Sequence, residues 1–347
     1  MKTACFRLFS ATCFTLAALS CAAAESTPIR VGLVNSSSDA GFLIADKKGY
    51  FREEGLDVVF TPFDSAAKMV APLGAGHLDV GGGSPSAGLY NAIARGISIK
   101  IVADKGSTPP GYGYQPLLVR KDLVDSGRFK GLKDLKGMKI AGSAPGSAST
   151  STLNEMLKKA GLKTADVERV YMAFPQHVLA LQNAAVDAAL TTEPSATRAI
   201  QSGAAVKVLG DDEAYPDHQL AVVLYSGMFA REKPGAAQKF MRAYLRGVRD
   251  YNDALKDGRL VGAGSDEIIG ILTASTRLKD GATYRLISAN GCNPDGKVHE
   301  ASLRNDLQYF KDEGLIQGEV SVEQAVDNSF VEAALKELGP YATRSVP

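Results

Sequence analysis

The chain has 347 residues, 39 basic and 38 acidic side chains, and 45% hydrophobic residues. That near-neutral balance argues against nucleic acid or an anionic membrane surface as the main partner. The length exceeds the roughly 250–300 residues at which single cores stop growing, so two lobes are expected.

Lys2 and Arg7 open the chain, followed by a mostly apolar run over 8–19 and by Ala22, Ala23 and Ala24 before Glu25. This is the pattern of a cleavable secretory signal over 1–24. The apolar run is shorter than the about 20 residues of a membrane-spanning helix. Lipid attachment at Cys21 is the less favoured alternative, because Ala18-Leu19-Ser20 fits that pattern poorly. Cleavage removes two of the 39 basic residues and leaves 37 against 38 acidic ones. It also removes Cys5, Cys13 and Cys21, so Cys292 stands alone and no internal disulfide can form. A periplasmic location follows for the mature chain.

Residues 29–33 read as a buried parallel-type strand, apolar at nearly every position. Ser36, Ser37, Ser38 and Asp39 then supply cap chemistry for a helix to Lys48, closed by Gly49. Strands follow at 56–60, 77–81 and 97–103, with helices at 66–73 and 85–94 between them. This alternation predicts a parallel sheet with right-handed crossovers. The turn-rich stretch around Pro109, Pro110, Tyr112 and Tyr114 leads into a strand at 117–119, the first expected crossing between lobes. A second series of strands is expected near 140, 170–173, 187–191 and 205–209, with a return crossing over 219–225. The remainder is mainly helical, and 235–256 carries Phe240, Tyr244 and Val248 on one stripe. The predicted division is lobe 1 over 25–116 and 224–347, and lobe 2 over 117–223, joined by a two-strand hinge. The fold class is α/β.

The two lobes look alike. Pro85-Ser86-Ala87 and Pro194-Ser195-Ala196 lie 109 positions apart, and so do Val31 and Ile140 in two strand-like runs. Each run enters a Ser/Gly-rich turn and then a helix, whose first N–H groups suit small anions.

No enzymatic constellation accompanies them. His77, His177, His218 and His299 lack metal-ligand spacing, and no Gly-x-Ser-x-Gly elbow is present. The glycine turn at 142–147 lacks the Lys-Ser/Thr of a nucleotide loop. No cofactor, metal or catalytic residue is expected. What converges is a set of turns at the carboxyl ends of strands, where open α/β sheets bind ligands. Capping alone would account for each serine singly. Together, Ser38, Asp39, Ser84, Ser147 and Glu193 suggest a cleft. Tyr112 and Tyr114 are candidates to stack on a ligand body. Glu193 could cap a backbone N–H, pair with Arg198 or hold a ligand donor. Lys105 could add a cation at the cleft rim, with surface solvation the favoured reading.

Gly41-Phe42, Lys48-Gly49-Tyr50-Phe51-Arg52-Glu53-Glu54-Gly55-Leu56, the 76–87 phrase and Asp134-Leu135-Lys136-Gly137-Met138-Lys139-Ile140 resemble nitrate/sulfonate/taurine-type solute-binding proteins of ABC importers. These are similar in turn to binders of thiamin pyrimidine precursors. The resemblance implies a type II periplasmic-binding fold, two Rossmann-like lobes that close on a ligand. By position it implies ligand contacts at Ser38, Asp39, Ser84, Pro85, Gly146, Ser147, Ala148 and Glu193. Tyr112 joins that set as the stacking candidate. It also implies a small-molecule ligand of the sulfonate or aromatic carboxylate class, delivered by a monomer to an inner-membrane permease. A pyrimidine ligand and a sensor module on the same fold are the alternatives. Thr192-Glu193-Pro194 replaces the aromatic residue common after the third strand of the second lobe, which makes taurine itself a poor fit.

Overall fold

A computed structural model describes residues 26–342. The expected signal over 1–24, with Cys21, lies outside the described residues. Two five-stranded sheets form the cores of two lobes. The first contains β1 (Thr27–Leu33), β2 (Leu56–Pro62), β3 (Val80–Gly83) and β4 (Ile99–Gly106). The second contains β5 (Leu117–Arg120), β6 (Lys139–Gly142), β7 (Glu168–Tyr171), β8 (Ala188–Leu190) and β9 (Ala205–Leu209). A last strand, β10 (Ala221–Ser226), returns to the first sheet.

The spatial orders are β2-β1-β3-β10-β4 and β7-β6-β8-β5-β9. They are the same order. β1, β2 and β3 correspond to β6, β7 and β8, and the strand fourth in line is in each case the one that has just crossed over. Both crossing strands run antiparallel to their neighbours. The expected all-parallel sheets are therefore mixed. Buried strands read as apolar runs in either direction, so composition carries no sign of the reversal.

Alternation within strands feeds two faces at once. In β10, Val223 and Tyr225 join one cluster while Val222 and Leu224 join the other. In β5, Leu117 and Val119 face one side and Leu118 the other. The helix Pro234–Asp253 buries Phe240, Met241, Tyr244, Leu245, Val248 and Tyr251 against the first sheet's helix Ala40–Lys47. The two helices approach closely because glycines meet there. A Cβ on Gly247 would lie 2.4 Å from the Gly41 carbonyl oxygen.

The expected return crossing at 219–225 is largely a central strand, and the chain passes between sheets just before it. The two passages run side by side. Thr108 N–H donates to His218 O (3.1 Å), and Asp217 N–H donates to Thr108 O (2.9 Å).

Candidate functional site

The turns after β3 and β6 touch across the gap between lobes. Ala87 N–H donates to Gly146 O at 2.7 Å and Ala148 N–H to Pro85 O at 3.0 Å, so Ser86 and Ser147 pair as an isolated antiparallel bridge. The lobes are thus in direct contact, and the backbone groups of Pro85, Gly146 and Ala148 are engaged with each other. Between Ser84 and Ser147 the space left is about 20 Å³, room for about one water molecule. Ser86, rather than Ser84, caps the Ala87–Ala94 helix by accepting from Leu89 N–H (3.2 Å). The Ser147 hydroxyl donates to Ala144 O (3.0 Å) instead of capping the helix it precedes.

A larger cavity, about 340 Å³, lies to one side of these turns. Small-molecule pockets run from about 300 to 1,000 Å³, so this is room for a compact ligand. The first lobe contributes Ser36, Ser37 and Asp39 after β1, and Phe63 and Asp64 after β2. The second lobe contributes Gln176 at the start of the Phe174–Gln182 helix, with Pro194, Ser195 and Arg198 after β8. The third wall was not anticipated: Leu260, Leu272, Ser275, Arg277, Tyr284 and Ile287, from the C-terminal half. The sequence there carries only a helical signal, because this wall is built from residues that look like ordinary core and loop. Interlobe hydrogen bonds border the cavity. Ser37 N–H donates to Glu193 O (2.8 Å), Ser288 N–H to the Glu193 carboxylate (3.4 Å), and the Thr283 hydroxyl to Gln201 Oε1 (3.2 Å).

The Glu193 carboxylate accepts backbone N–H groups, the first of the three alternatives its position offered. It takes Thr197 N–H and the Thr197 hydroxyl, both at 2.9 Å, and the residue is 4% exposed. No ion pair with Arg198 forms. Burial raises the Glu193 pKa, opposed by the Thr197 hydrogen bonds.

Lys105, read as a solvated surface residue, is buried. Its ammonium lies 2.8 Å from Asp39 Oδ1 and donates to Ser38 Oγ at 2.8 Å. A carboxylate so close to the cation offsets the desolvation that would otherwise expel it. The Asp39 carboxylate also accepts Ser36 N–H (3.1 Å). Two of the expected ligand contacts, Ser38 and Asp39, are thus held by a lysine 67 and 66 positions further on, a pairing with no local sequence signal. Tyr114 is 1% exposed and packs with Ala148 and Leu220. Tyr112 is half-buried beside Pro109 and lies outside the cavity wall.

A second polar cluster lies beside the passages between lobes. His218 Nε2 is 2.8 Å from Asp306, its Nδ1 is 3.1 Å from the Thr152 hydroxyl of the second lobe, and Tyr215 stacks on it at 4.0 Å. Among the described residues no cluster of three or more His, Cys, Asp or Glu could hold a metal ion. No described helix is long and apolar enough to cross a membrane. Cys292, beneath Tyr244, is buried, and burial pushes its thiol pKa well up, the opposite of an activated nucleophile.

Among similar proteins, one from Brucella abortus (strain 2308) named as a binding protein is 32% identical over 171 residues. The match covers 49% of this chain and 49% of that protein, so the chain spans about half the length of those curated relatives. A protein of Bacillus subtilis (strain 168), named for binding aliphatic sulfonates, is 27% identical over 316 residues, 89% of this chain and 88% of the relative. Of solved structures, the periplasmic nitrate-binding protein NrtA from Synechocystis PCC 6803 superposes with a TM-score of 0.75 at 14% identity, over 91% of this chain and 90% of that one. The fold is that of the periplasmic binding proteins. The model of the family described as NMT1/THI5 like matches residues 36–254, more than half of the sequence, and the chain belongs to that family.

Proposed function

We propose that this protein is the extracytoplasmic substrate-binding protein of an ABC importer. It captures a small organic anion, of the sulfonate or aromatic carboxylate class, by closure of its two lobes and delivers it to an inner-membrane permease. The observation that carries the reading is the cavity of about 340 Å³ walled by both lobes and bordered by hydrogen bonds between them. Contacts made from both sides exist only when the lobes are shut, so a ligand that uses them shifts the population toward the closed form. The paired passages at Thr108 and His218 supply the hinge. In this reading Pro85, Gly146, Ser147 and Ala148 are closing contacts, while Ser37, Arg198 and the 272–287 wall face the solute. Export through a cleaved signal and a periplasmic location belong to the same proposal.

Small-angle scattering on the mature chain, with and without a saturating ligand, tests it. A ligand at 100 times its dissociation constant adds about 2.7 kcal/mol of stability, which makes a thermal-shift screen of sulfonates, carboxylates, nitrate and aminopyrimidines the way to find one. The radius of gyration should fall on binding, and crosslinking Ser86→Cys to Ser147→Cys should abolish that change. A radius unaltered at saturation in the uncrosslinked protein refutes closure.

A further inference from the structure

We infer that the solute is an aryl anion: a carboxylate or sulfonate on an apolar body about the size of a six-membered ring. Arg198 of the second lobe and Arg277 of the first meet its charge. The inference rests on the binding-protein reading and narrows it.

The charge balance of the cavity is the first argument. Four charged side chains line it: Asp39, Asp64, Arg198 and Arg277. Both carboxylates are already matched from outside the cavity, Asp39 by Lys105 and Asp64 by Lys68. Neither arginine has a carboxylate within ion-pair distance among the described residues. The wall therefore carries two uncompensated positive charges, one from each lobe. Guanidinium groups present forked donors that suit carboxylate and sulfonate oxygens. An anion bridging them would hold the lobes together, as closure requires.

The second argument is the remaining surface. Phe63, Tyr251 and Tyr284 line the cavity with Leu43, Leu272 and Ile287. Three aromatic rings among aliphatic side chains favour a flat apolar body. Nitrate or sulfate would leave that wall uncovered. Two buried hydroxyl oxygens on it, Ser37 Oγ and Ser275 Oγ, have no hydrogen-bond partner among the described residues. Buried polar atoms are ordinarily paired, so these two are available to a polar ring substituent or to the anionic group. The space between Ser84 and Ser147, about 20 Å³, admits no such body.

The test is calorimetric titration of the mature chain with benzoate, benzenesulfonate, benzamide, taurine and nitrate. At least one of the two aryl anions should bind, and benzamide, its uncharged counterpart, should bind at least ten-fold more weakly. Arg198→Met and Arg277→Met should each weaken the aryl anion ten-fold or more, with the ligand-free unfolding midpoint unchanged because both side chains are exposed and unpaired. Arg231→Met, which removes an exposed charge away from the cavity, should bind like the parent. If taurine or nitrate binds and neither aryl anion does, the ligand class is wrong and the binding-protein reading stands. If benzamide binds as well as benzoate, or both arginine variants bind like the parent, the assigned charge contacts are wrong. If an aminopyrimidine titrated alongside them binds and none of benzoate, benzenesulfonate, taurine and nitrate does, the organic-anion reading falls with this one.

Discussion

Lys105→Met removes a charge from a fully buried ion pair. The ammonium and the Asp39 carboxylate are 2.8 Å apart, with side chains 0% and 3% exposed. Methionine keeps most of the stem, which packs beside Gly82 and Phe42. A Cβ on Gly82 would come within 2.5 Å of Lys105 Cε, and the ammonium sits 6.0 Å from the Phe42 ring centre. The volume lost is small, so the cost is electrostatic. Breaking a buried pair by removing one partner typically costs about 3–5 kcal/mol, because the other charge stays buried and uncompensated. Asp39 retains only Ser36 N–H to offset that. Urea unfolding of the mature chain should show a loss of about that size. Replacing both partners removes the stranded charge, so Lys105→Met with Asp39→Asn should be more stable than the sum of the two single variants implies. Distant sites add within about 0.3–0.5 kcal/mol, and a coupling above about 1 kcal/mol is expected here. A single-variant loss under about 1 kcal/mol, or strict additivity, would refute the argument. The same substitution would leave a carboxylate unmatched on the cavity wall and should weaken any anionic ligand beyond its effect on stability.

Three further predictions concern packing and titration. Gly247→Ala drives a methyl into the Gly41 carbonyl, where backbone cannot yield as a flexible side chain would, and should destabilise by at least the about 1–3 kcal/mol of overpacking; a neutral result in thermal unfolding would mean the helices separate freely. His177 is buried with Nε2 facing the carbonyls of Gly142 and Met172, and burial pushes its pKa down from 6.5 to about 4. The unfolded chain takes up that proton first on acidification, so His177 costs stability as pH falls from about 6.5 to about 4, by about 3 kcal/mol at 1.36 kcal/mol per unit; His177→Gln should lose less than the parent across that window. Asp104 works in the opposite direction. Burial raises its pKa from 3.8 to about 6 against hydrogen bonds from Asn293 and Gln219. The folded chain then holds the proton longer, and stability falls by about 3 kcal/mol as pH rises from about 4 to about 6. Asp104→Asn should abolish that fall. The two windows overlap with opposite signs, so a flat parent profile is compatible with both, and the variants must be compared individually.

The strand pattern was legible because buried strands are short apolar runs closed by glycine. Residues 29–33 were read as a strand and β1 spans Thr27–Leu33. The likeness of the two halves was legible too, and its structural counterpart is the shared order of the sheets. Val31 pairs with Val80 in the first sheet as Ile140 pairs with Ala188 in the second, so the 109-residue offset joins equivalent strand pairs to within one position. Strand direction was not legible. β5 and β10 are as apolar as their neighbours, and their reversal is set by where the chain comes from, which no local residue encodes. The candidate cavity was legible only where it follows the strands. Turns after β1 and β8 reach the cavity, as expected for the carboxyl edge of such sheets. Those after β3 and β6 reach each other instead, because their backbone groups satisfy one another across the gap. What decided the difference was long-range: Lys105 neutralising Asp39, Thr197 occupying Glu193, and the 260–287 segment folding back over the first lobe to make a third wall. Each depends on side chains brought together from 66 positions apart or more, or on a hydroxyl one helical turn away whose alternatives were equally good in one dimension. The ordinary pairing rules for buried polar groups explain the Lys105–Asp39 and Thr197–Glu193 contacts once the partners are known; Arg198 and Arg277 are exposed and lie outside those rules. Two cations from opposite lobes, without a carboxylate partner among the described residues, are the groups that the proposed aryl anion would bridge on closure.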